Sequence, residues 1–99
     1  MSLLSRKDYD KAIKVVTGVI HRWDPYGLLA GGAPQEEFDS EIQSLVAQIP
    51  RIDSKTDAAH AVSRIFSSAF EAETFTVKKC RDVGNGLHAA LVAAGIIEA

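Results

Sequence analysis

The sequence predicts an all-α protein, a compact four-helix bundle with a structured loop between helices 1 and 2. Three observations carry that expectation. Apolar residues recur at three- and four-residue steps in four separate segments, which is the spacing of one stripe on an α-helix. Prolines, glycines and capping residues stand at the ends of those segments, where helix start and stop signals belong. No segment alternates apolar and polar residues with the β-branched enrichment of a strand.

The bounds of the chain agree. With 99 residues and 46% apolar content there is enough material for one hydrophobic core, so residues 1–99 are expected to form a single helical domain. A single cysteine, Cys80, rules out an internal disulfide framework. The apolar runs are too short for a bilayer span or a signal peptide, so no membrane partner and a cytoplasmic setting are expected. Eleven Lys and Arg against 13 Asp and Glu give a net charge of −2, and the chain lacks the overall positive potential that a nucleic-acid binder uses. Nucleic acid is not an expected partner.

The first helix is read from Ser5 to Trp23, with Tyr9, Ala12, Ile13, Val16, Val19, Ile20 and Trp23 on one stripe. Ser5 and Asp8 have the spacing of a capping box, and Leu4 and Tyr9 that of a hydrophobic staple. Pro25 removes an amide proton and restricts Asp24, which ends the helix near Trp23. Residues 23–34 then carry the only Trp, two of the three Pro and three of the seven Gly. Tyr26, Leu28 and Leu29 make this loop too apolar to face water, so it should be packed.

Pro34 suits a first helical position, and Gln35-Glu36-Glu37 places negative charge at the positive end of a second helix. Its core stripe is Phe38, Ile42, Leu45, Val46 and Ile49, and Pro50 ends it. Ser54 and Asp57 form a second capping-box pair, opening a third helix with Ala58, Val62, Ile65, Phe66, Ala69 and Phe70 inward. After a link over residues 71–75, Thr76 caps a fourth helix with Val77, Cys80, Gly84, Leu87, Leu91 and Ala94 on its stripe. Gly95 followed by Ile96 fits a Schellman stop. Gly84 interrupts that stripe and leaves room for a bulky neighbour, with Trp23 or Tyr26 as the expected occupant.

Few residues suggest chemistry. His21, His60 and His88 fall on three different helices with no second ligand one turn away, so they read as surface histidines rather than a metal site. Cys80 lies between Lys79 and Arg81, which could activate a thiol, but it sits mid-stripe and reads as a buried, structural cysteine. Gly31-Gly32 ahead of a helix start suggests a phosphate cradle, yet Pro34 removes an amide and the three following residues include two acids. Asp24, Glu36, Glu37, Asp39 and Glu41 could attract a hard cation such as calcium or magnesium, but they match no calcium-loop spacing. Lys7, Lys11, Lys14 and Arg22 line the outer face of the first helix and read as a solvated strip. No catalytic residue, metal ligand or cofactor is therefore assigned.

Trp23-Asp24-Pro25-Tyr26-Gly27, followed by Ala33-Pro34 and Glu37-Phe38-Asp39-Ser40-Glu41-Ile42, resembles a small bacterial all-helical family of unknown function with a Trp-Asp-Pro-x-Gly signature, the YugE-like domain. The chain is also similar to some toxin-immunity proteins. That resemblance implies a protein-binding role and supplies no catalytic residues. The leading expectation is a non-enzymatic, immunity-like binding module whose partner surface includes Trp23, Asp24, Tyr26, Gly27, Glu37, Asp39 and Glu41. One alternative is a small enzyme, or a ligand- or metal-binding protein, using His and carboxylates near the loop. A third is a self-associating protein that buries an apolar patch as a homodimer.

Overall fold

Four α-helices and no β-strand are found among the residues described by the computed structural model, 6–98, with side chains described from Asp8 onward. They are α1 (Arg6–Trp23), α2 (Asp39–Gln48), α3 (Lys55–Ala69) and α4 (Arg81–Ala93). Each packs on two others in a closed ring, α1 on α2, α2 on α3, α3 on α4 and α4 on α1. The expected four-helix bundle is the observed one. Its radius of gyration is 12.7 Å, against about 13 Å for a compact chain of 100 residues.

Ala12, Val16, Val19 and Ile20 of α1 are buried, as their stripe requires. Tyr9 departs from it, at 43% exposure. The staple of Leu4 and the cap at Ser5 lie outside the described residues, as does the side chain of Lys7. α2 starts five residues later than the position of Pro34 suggested. Residues 34–38 instead form turns, with the amide of Glu37 donating to the Pro34 carbonyl (3.0 Å) and that of Asp39 to Glu36 (3.1 Å). The acids in the first turn of α2 are consequently Asp39 and Glu41, where they face the positive end of the helix dipole.

α3 opens on the expected cap. The Ser54 hydroxyl accepts the Asp57 amide (3.1 Å), while Asp57 Oδ2 accepts the amide of Asp53 (3.0 Å), one residue before the usual capping-box partner. Ala69, expected inward, is exposed, and Phe70 is half-buried. The helix turns Ala59 and Ala61 into contact with its neighbours instead.

α4 proper begins at Arg81 rather than just after Thr76. A separate turn precedes it, in which Thr76 Oγ1 accepts the Lys79 amide (3.2 Å) and the Cys80 amide donates to the Thr76 carbonyl (3.0 Å). Thr76 therefore caps a turn leading into the helix. At the far end Gly95 has φ +74°. Its amide donates to Val92 O (3.0 Å) and that of Ile96 to Leu91 O (3.0 Å), the two bonds of a Schellman motif.

Gly84 is not filled by Trp23 or Tyr26. A Cβ there would lie 2.6 Å from both the Cα and the amide nitrogen of Ala59, so Gly84 is where the backbones of α3 and α4 touch. The small pair Ala59 and Gly84 lets α3 and α4 come together backbone to backbone at this point. The link over residues 71–75 also differs from expectation, because Phe75 is only 2% exposed and belongs to the core. Its carbonyl accepts from both Ser63 Oγ (2.6 Å) and Ser67 Oγ (3.1 Å) on α3.

Candidate functional site

Six of the seven aromatic residues, all but Tyr9, meet at the corner where the loop after α1 reaches the end of α3. Trp23, at the last position of α1, packs edge-on against Phe66 (5.0 Å between centroids) and Phe75 (5.8 Å). Tyr26 meets Phe70 (5.8 Å) and Phe75 (5.5 Å) in the same geometry. Phe38 completes the cluster against Phe66 (6.2 Å) and Phe70 (6.3 Å). These separations fall within the range where edge-to-face contact adds to area burial.

The loop is held by its own acid. Asp24 takes a left-handed backbone, φ 45° and ψ 65°, and its two carboxylate oxygens accept the amides of Leu29 (2.8 Å) and Ala30 (3.0 Å). Backbone bonds from Gly31 to Gly27 O (2.9 Å) and from Ala33 to Leu28 O (2.9 Å) close the rest. Leu28 and Leu29 pack on the core, so the packed loop expected from sequence is observed. Asp24 thus braces the corner from within.

Tyr26 is the exposed part. Its φ of 64° and ψ of 2°, with the Gly27 amide donating to Asp24 O (2.8 Å), match the third residue of a type II turn, a position usually held by glycine. A side chain there costs on the order of 1 kcal/mol. Tyr26 nonetheless leaves 49% of its surface exposed, and its hydroxyl donates to Glu71 Oε1 (3.0 Å). Two ring edges and one hydrogen bond fix the outward pose.

Glu71 meets this ring at its hydroxyl, and further acids lie on the segments that adjoin the corner. Glu71 and Glu73 are exposed on the link, and Glu36, Glu37 and Asp39 are exposed on either side of buried Phe38, with Glu41 half-buried one turn on. Phe70 lies between Tyr26 and Phe38, which brings the two acidic stretches to one corner. Sequence reading named Trp23, Asp24, Tyr26, Gly27, Glu37, Asp39 and Glu41, took Phe70 for core alone, and missed Glu71 and Phe75. The Tyr26–Glu71 bond spans 45 residues and has no local signal. The recurrence of Phe at 66, 70 and 75 was the available hint.

On the other side of Trp23, a groove of about 460 Å³ runs between α1 and α4. Val19 and Val83 line it, with Arg22, Lys79 and Asp82 among its polar residues. The Lys79 ammonium donates to the Glu73 carbonyl (3.2 Å), which joins the groove edge to the acidic link.

The histidines do not converge with these acids. His60 is exposed as expected, whereas His21 and His88, expected at the surface, are half-buried with Nε2 enclosed and without a hydrogen bond. Among the described residues no three His, Cys, Asp or Glu are placed to hold a metal ion. Cys80 is buried at the start of α4, and burial pushes its thiol pKa up despite the flanking cations. That is the environment of a structural cysteine.

These features define a small all-helical protein with a braced aromatic corner. The chain belongs to a family described as a domain of unknown function, DUF1871, whose model matches residues 15–93. The match runs from the middle of α1 to the end of α4 and includes the whole corner. No curated protein and no solved structure matches the chain significantly. No helix among the described residues is long and apolar enough to cross a membrane.

Proposed function

We propose that this chain is a non-enzymatic, cytoplasmic bacterial protein-binding module that uses the aromatic corner to dock a basic partner. The observation carrying this reading is Tyr26, held half-exposed in a left-handed backbone with Glu71 on its hydroxyl. Strain retained at a surface position is concentrated at functional sites, and a rigid tyrosine ring is a common interface anchor. Glu36, Glu37, Asp39 and Glu71 would steer a cationic surface toward it and set orientation more than affinity. The Trp-Asp-Pro-x-Gly signature, with its likeness to YugE-like domains and some immunity proteins, supports the same reading, with blocking of a toxin domain as the mode of action.

The test is affinity capture from the native organism with wild-type bait and with Tyr26→Asn. Asparagine tolerates the left-handed backbone, so the variant should stay folded. A basic protein retained by wild type, lost with Tyr26→Asn and weakened by salt is the expected result. Identical capture by both baits would overturn the role of Tyr26.

A further inference from the structure

Toward the other end of α3 lies a recess of a different character. Arg51, from the 3₁₀ turn Ile49–Arg51, and His60 and Arg64 of α3 line a cavity of about 170 Å³ together with Gln48 and Asp57. His60 and Arg64 are four residues apart and so share a helix face. Arg64 Nη2 donates to Gln48 Oε1 (3.2 Å), which fixes one edge of the guanidinium across the gap between α2 and α3. Asp57 is the one carboxylate on the lining, and its Oδ2 already accepts the Asp53 amide (3.0 Å) at the helix start.

We infer that this recess binds a tetrahedral oxyanion, a free phosphate or a phosphate monoester. Two guanidinium groups stay charged at all relevant pH values and offer forked donors suited to phosphate oxygens. The imidazole of His60, also on the lining, can add one N–H donor. One guanidinium is pre-oriented, so less side-chain freedom is lost on binding. The cavity lies well below the roughly 300–1,000 Å³ of drug-sized ligand pockets, which favours a small ion. The chain's overall charge of −2 makes this local excess of cations distinct from a general basic surface.

Titration of the full chain with sodium phosphate at constant ionic strength, followed by amide NMR, tests this. Saturable shifts are expected in residues 48–64, with Arg64→Gln and Arg51→Gln each weakening binding about tenfold, the scale of one charge-assisted hydrogen bond. Lys14→Gln, an exposed charge on α1, should leave the affinity unchanged. Both arginines are exposed, so melting temperatures should hold; if one variant melts early, the other decides. A parallel titration with methyl phosphate separates the sources, since tighter binding of methyl phosphate assigns the monoester and tighter binding of inorganic phosphate assigns the free ion. An absence of saturable shifts, a response matched by chloride, or an equal loss in Lys14→Gln would overturn the inference.

Discussion

Gly84 and Gly86 stand two residues apart on α4 and face opposite requirements. A Cβ at Gly84 would enter the backbone of Ala59 at 2.6 Å, whereas one at Gly86 meets nothing within 4 Å. Gly84→Ala should therefore force α3 and α4 apart and cost about 3 kcal/mol, the upper end of ordinary overpacking. Gly86→Ala should gain up to about 1 kcal/mol from helix propensity alone. Urea denaturation of both variants checks this, and equal midpoints would show that the helices do not touch at Ala59. Sequence reading noticed that Gly84 made space but assigned that space to an aromatic ring. At Gly84 the missing side chain marks a close approach, and only the tertiary structure tells of what.

At the scale of elements, the local signals were the legible ones. Ser54 caps α3 through the Asp57 amide, Pro25 follows the end of α1, and Gly95 terminates α4 with both bonds of its motif, because each of these needs only a few adjacent residues. Gly95→Ala should cost about 1 kcal/mol through its backbone angle of +74°, since no atom lies near enough for a clash. A thermal melt showing no destabilisation would mean that the C-terminal stop is dispensable. The misplaced starts of α2 and α4 share a pattern. Pro34 and Thr76 do begin turns, and the regular helix starts only after a fully buried N-cap residue, Phe38 before α2 and Cys80 before α4. The candidate corner was half legible. Residues 23–41 sit in one continuous stretch, while Glu71 and Phe75 join it only through folding.

For the whole molecule, the buried residues of all four helices and Phe75 of the link form one connected core. Trp23 touches that core through Phe66 and Phe75, so its environment reports on α1, α3 and the link together. Unfolding followed by tryptophan fluorescence and by far-ultraviolet circular dichroism should give coincident transitions, as a single cooperative unit requires. Separated midpoints would show that the aromatic corner opens independently of the helices. Phe75 bears on what such opening would involve. Its carbonyl is held by two serine hydroxyls one turn apart on α3, and its ring supports both Trp23 and Tyr26. The link is thus clamped to a helix by its backbone rather than by its side chains alone. A partner arriving at Tyr26 would meet a surface already frozen in place, and association there would surrender little further chain entropy.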